Sequence, residues 1–215
     1  MNSSETTMEV PIIGISRHRL GRDGKGVTTL VAFHGCTLHC RYCLNPQCLS
    51  PDCTCLMMTP DELIDELKID DLYFQATGGG VCFGGGEPLL RSEFIPEFRS
   101  LAPKEWRITL ETSLQVSREQ LEEVFPFVNH YIVDIKDTSP EIYRRYTGGR
   151  VERALENLQW LVNQGVANRI VVRLPHIPDF NTSDDVAHSR RLLEAMGITH
   201  FDEFTYEKYH ILTAL

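Results

Sequence analysis

Along the chain, short β-branched and aromatic runs alternate with longer stretches whose apolar residues recur every three to four positions. The short runs predict strands over 27–33, 81–83, 106–111, 130–136, 169–174 and 201–206. The longer stretches carry helix signals. Thr59 and Glu62 frame a capping box with Pro60 at the first helical position, and Ser117 with Gln120 repeats the device. Ser139 and Pro140 open a third helix running to about Tyr146. The periodic segments 151–163 and 184–196 end before Gly165 and Gly197, which read as C-terminal caps.

Six strand–helix alternations imply an α/β protein with parallel strands and crossover helices. An open doubly wound sheet and a closed or partial barrel both satisfy this pattern. In a barrel, functional residues collect at the C-terminal ends of the strands. No internal repeat, low-complexity tract or linker interrupts the pattern. Residues 1–215 are therefore expected to form a single domain, with a core over about 11–208 and a frayed start over 1–8. With the chain running to Leu215 soon after the sixth strand, one sheet edge is expected to stay uncovered.

Charge narrows the partners. Against 21 Lys and Arg stand 30 Asp and Glu, a net charge of −9 that opposes nonspecific contact with nucleic acid. No apolar run reaches the roughly 18 residues of a membrane span. The polar, acidic start does not read as a targeting peptide, so a cytoplasmic protein is expected.

The cysteines change the picture most. There are seven, and all but Cys82 lie between Cys36 and Cys55. An odd number crowded into one segment is a poor disulfide framework and points to metal or redox chemistry. Cys36, Cys40 and Cys43 follow the first expected strand with three and then two intervening residues. A zinc ribbon would show two paired Cys-x-x-Cys knuckles, and a thioredoxin-like site would not use Cys36. Three thiolates on one loop suit a [4Fe–4S] cluster with one iron left open. A structural zinc is the plainer alternative.

This loop resembles the signature of the radical S-adenosylmethionine (SAM) superfamily, Cys-x3-Cys-x2-Cys with an aromatic before the last cysteine, here Tyr42. The resemblance implies a partial (β/α)6 TIM-type barrel carrying one three-cysteine [4Fe–4S] cluster. It also implies SAM bound at the open iron and cleaved reductively to a 5′-deoxyadenosyl radical that abstracts hydrogen.

Other strand ends fit the resemblance. Gly84, Gly85, Gly86 and Glu87 resemble the segment that holds the methionyl amine of SAM, although a glycine turn alone is a weak signal. The preceding Gly78, Gly79 and Gly80 read as a flexible approach to the strand. Glu111 ends the third expected strand, and Asp134 with Lys136 ends the fourth. Singly these charges would pass for solvated tips; the resemblance implies contact with SAM or a monovalent cation, with Glu111 one methylene longer than the usual aspartate. Arg173 ends the fifth, where the resemblance assigns it the SAM carboxylate and a surface ion pair is the alternative.

Asp23, Gly24, Lys25 and Gly26 before the first strand, and Cys43, Asn45 and Pro46 after the cysteine loop, are similar to glycyl-radical-enzyme activating enzymes. Lys25 stands where proline is usual, and Glu207 stands where a histidine commonly follows the tyrosine, with His210 further along. The resemblance implies a glycyl-radical enzyme as partner and a flavodoxin or ferredoxin-type electron donor. A radical SAM enzyme acting on a peptide or small molecule is the other reading. Cys48, Cys53 and Cys55 are either reduced spectators or a second metal site.

Overall fold

The computed structural model describes residues 8–206. Eight strands form one sheet: β1 (Val10–Leu20), β2 (Val27–Phe33), β3 (Leu56–Met58), β4 (Gly80–Gly85), β5 (Arg107–Thr112), β6 (His130–Asp134), β7 (Ile170–His176) and β8 (Phe201–Thr205). Their order is β3-β1-β2-β4-β5-β6-β7-β8. From β2 through β8 neighbouring strands pair in parallel, whereas β1 runs antiparallel to both β2 and β3. The six parallel strands are those expected from the sequence. The antiparallel flap of β1 and β3 was not foreseen.

Among the described residues, seven α-helices accompany the sheet: α1 (Pro60–Leu67), α2 (Asp71–Thr77), α3 (Phe94–Leu101), α4 (Arg118–Val124), α5 (Pro140–Thr147), α6 (Val151–Asn163) and α7 (Ser183–Ala195). Both expected capping boxes are formed, Thr59 with Glu62 and Ser117 with Gln120. A third, Thr182 with Asp185, starts α7 one residue earlier than expected. Each cap satisfies helix-end donors that would otherwise lack partners, contributing about 1 kcal/mol.

The central strands are buried on both faces, as parallel strands covered by crossover helices must be. An aromatic cluster locks the helical layer to the sheet. Phe33 stacks on Phe83 with centroids 5.5 Å apart, and Phe98 meets Phe83 edge-on at 5.1 Å. The sheet curls enough that β2 and β4 through β8 all contribute residues to one central cavity. A doubly wound open sheet cannot do that, so the barrel reading holds. Among the described residues β3 and β8 do not pair, leaving the barrel incomplete.

The glycine run before β4 differs from expectation. A Cβ on Gly79 would lie 1.8 Å from the carbonyl oxygen of Val27. Gly79 is therefore a close backbone crossing rather than a flexible approach.

Candidate active site

The cysteine loop leaves the C-terminal end of β2 and is pinned at several points. Gly35 N–H donates to Cys48 O at 2.8 Å, His39 N–H to Thr147 O at 2.8 Å and Arg41 N–H to Tyr146 O at 3.0 Å. Leu38 is buried against Tyr143 and Val151. Tyr42 packs edge-on against Tyr146 and Phe180, and its hydroxyl bonds Asp179 at 3.0 Å. The loop is thereby clamped to the end of α5, with its three thiols facing inward.

Cys36, Cys40 and Cys43 form part of the wall of a cavity of about 1070 Å³. The same cavity is lined by Gly85, Gly86, Glu111, Asp134, Lys136 and Arg173. The structure thus brings nine of the eleven expected site residues onto one cavity. Tyr42 and Glu87 do not line it. The cavity continues down the barrel to Arg107, His130 and the hairpin residues Gly21, Arg22, Gly24 and Lys25.

The Cys48 thiol is hydrogen-bonded to Cys36 and Cys43, and this contact is the largest influence lowering both. Cys43 falls to about 6, helped by the Asn45 N–H and the Lys136 charge against the opposing effect of burial. Burial instead pushes Cys40 up to about 12. Cys48 therefore belongs beside the triplet and does not join Cys53 and Cys55 as a three-cysteine group.

The acids divide sharply. Glu87 is 1% exposed, and its Oε1 accepts from Thr112 Oγ1 at 2.6 Å and Leu89 N–H at 3.3 Å. Its Oε2 accepts from Ser113 N–H at 2.9 Å and Ser113 Oγ at 2.6 Å. Burial raises its pKa, and these bonds pull the other way. The carboxylate is a clasp joining the ends of β4 and β5, while the backbone of Gly85 and Gly86 faces the cavity. Gly86 must be glycine, since a Cβ would sit 2.0 Å from Gly35 O.

Glu111 instead meets Arg173 at 2.6 Å, and Arg173 also lies 3.8 Å from Asp23 and 3.6 Å from Asp202. Burial pulls Arg173 down, but Glu111, Asp134 and Asp23 outweigh it and hold the guanidinium above its ordinary value. Lys136 is likewise buried, which lowers it, yet Asp134 at 3.3 Å and Tyr206 keep it well above the usual lysine range. Its Nζ donates to the Tyr206 hydroxyl at 3.2 Å. Asp23, Cys82 and Glu111 approach one another closely enough for a metal, but Arg19 and Arg173 already supply the positive charge there.

Three residues that the sequence reading named without these roles also contribute. Asn45 Nδ2 donates to Gly85 O at 3.2 Å, tying the cysteine loop to β4. Cys48 returns to the triplet, and Tyr206 closes the lysine side. Glu207 and His210 lie outside the described residues.

Three thiols and a set of balanced charges at the C-terminal ends of parallel barrel strands define a cofactor-dependent barrel enzyme. Residues 30–192 match the Radical SAM superfamily, and the chain belongs to that family. It is similar to the (2S)-3-sulfopropanediol dehydratase activating enzyme of Klebsiella oxytoca, 28% identical over 238 residues that span 82% of this chain and 74% of the relative. The pyruvate formate-lyase 2-activating enzyme of Escherichia coli is 27% identical over 238 residues, spanning 94% of this chain and 80% of the relative. Streptococcus suis SuiB bound to S-adenosylmethionine shares the fold, with a TM-score of 0.63 over 83% of this chain and 42% of SuiB at 13% identity. The partial TIM-type barrel expected from the sequence is the architecture of this family.

Proposed function

We propose that the protein activates a glycyl-radical enzyme, with Cys36, Cys40 and Cys43 holding a [4Fe–4S] cluster and SAM lying in the barrel cavity. The observation that carries this reading is one cavity lined by three thiols together with paired charges. Thiolates suit iron, and the two thiols of lowered pKa lose their protons to solvent the more readily as their sulfurs bind it. When bound, the cluster and SAM together supply one-electron reductive cleavage and a hydrogen-abstracting radical.

The chain's own residues bind, orient and shield. The Gly85 and Gly86 backbone presents polar groups toward the methionyl amine, with Glu87 fixing their position. Arg173 receives the methionyl carboxylate, exchanging its outer contact with Asp202 for it. Asp134 and Lys136 line the polar floor with Glu111. Tyr42 supports the cysteine loop from behind through its ring contacts. The incomplete barrel gives a partner's glycine-bearing segment access, and a flavodoxin or ferredoxin-type donor would supply the electron. Among the described residues no helix is long and apolar enough to cross a membrane.

A radical SAM reaction on a peptide or small molecule is the second reading, favoured by Glu111, which takes the place of a shorter aspartate and is locked to Arg173. Reduced protein, SAM and candidate glycyl-radical enzymes, mixed anaerobically, should give 5′-deoxyadenosine and a glycyl doublet in electron paramagnetic resonance. Cleavage without a doublet on any partner selects the second reading. No cleavage under reducing conditions refutes both.

A further inference from the structure

Outside the strand-end cavity, one ring nitrogen of His34 and the Sγ atoms of Cys53 and Cys55 lie within 4.8 Å of one another. All three residues are partly exposed, so an ion can reach them. His34 directly follows β2. Cys53 and Cys55 occupy the strap between the 3-10 turn Pro46–Leu49 and β3. The Ser50 carbonyl organises both sides, accepting from Cys53 N–H at 3.2 Å and lying 3.0 Å from His34 Nε2. A carbonyl can only accept, so Nε2 carries the ring proton and Nδ1 keeps its lone pair. A ring N–H fixed on a backbone carbonyl is the outer contact that orients metal-binding histidines.

We infer that His34, Cys53 and Cys55 form a mononuclear zinc site, with one imidazole nitrogen and two thiolates as ligands and water in the fourth position. Two sulfurs and an imidazole are a borderline-soft set that suits tetrahedral zinc and disfavours magnesium or calcium. Each thiol releases its proton to solvent as its sulfur–zinc bond forms, and no electron is transferred. The site does not depend on the proposed activity. Its structural consequence concerns the neighbouring cofactor loop. Cys36, Cys40 and Cys43 all lie between His34 and Cys53 in sequence, so the ion closes a chain segment that contains the entire triplet.

The test uses cluster-loaded protein purified anaerobically with zinc in the medium and then dialysed. Metal analysis should find stoichiometric zinc alongside the cluster iron. X-ray absorption at the zinc edge should find two sulfurs at about 2.3 Å with nitrogen and oxygen completing the shell. The double variant Cys53→Ser/Cys55→Ser should lose zinc and keep iron. His34→Gln, a milder change, should bind zinc at least tenfold more weakly in competition with a chromophoric chelator, with circular dichroism and cluster absorbance unchanged. The site is overturned by wild-type protein that holds no zinc, by a zinc environment of four sulfurs, or by unaltered affinity in His34→Gln. A Cys53–Cys55 disulfide in freshly isolated protein, or iron in place of zinc, overturns it equally.

Discussion

The ends of β4 and β5 each carry a glutamate, and the two are used in opposite ways. Glu87 is spent on the protein itself, with both oxygens occupied by Thr112, Ser113 and the Leu89 backbone. Glu111 faces the cavity and is balanced by Arg173. The first shapes a loop, and the second sets the charge of a binding surface. An acid next to a run of glycines therefore need not touch a ligand in order to matter for its binding.

The largest effect should come from removing the cysteine wall of the cavity. Cys40→Ala should abolish cluster iron and SAM cleavage while leaving the thermal unfolding of the iron-free protein nearly unchanged, because Cys40 is peripheral to the main apolar core. Iron analysis and a melting curve check this together. A large fall in Tm would mean that the triplet also holds up the barrel.

The two glutamates can be separated next. Glu87→Ala strands buried donors of Ser113 and Leu89, costing about 3 kcal/mol or more and lowering Tm by roughly 6–12 °C in a domain of this size. Glu111→Gln keeps the shape and leaves Arg173 with Asp23 and Asp202, so its Tm should fall less than half as far. SAM binding, read by calorimetry on the cluster-loaded protein, should weaken in Glu111→Gln even though the fold survives. The reverse order of melting temperatures would erase the contrast.

The smallest change sharpens the cavity side alone. Arg173→Lys keeps a positive charge and loses the planar fork, so SAM affinity should drop about tenfold, equivalent to roughly 1.4 kcal/mol, with little change in Tm. Equal affinity would remove Arg173 from the carboxylate and return it to a purely structural ion pair.

The parallel strands were legible because burial on both faces leaves nearly continuous apolar runs such as Val27–Phe33. β1 was not, because Pro11 and Gly14 interrupt it and its second half alternates charged, half-exposed residues around two irregularities in pairing with β2. β3 has three residues and almost no pattern. α3 was hidden by Pro96, which reads as a breaker but sits in the first turn, where the missing N–H would have had no intrahelical partner. Within the site, the residues at strand ends were named from the family resemblance, with which their positions at strand C-terminal ends agreed. Cys48 and His34 were not, because their neighbours are decided by how the loop folds back, through Gly35 to Cys48 and through Ser50 to His34.

The walls of the barrel cavity carry Arg19, Arg22, Lys25, Arg107, Lys136 and Arg173 against Glu111, Asp134 and Asp202. Buried Asp23, paired with both Arg19 and Arg173, offsets these cations further, inside a molecule whose formal charge is −9. Buried pairs are screened far less by salt than exposed ones, so the pattern of charge that meets a ligand should keep its shape as ionic strength rises.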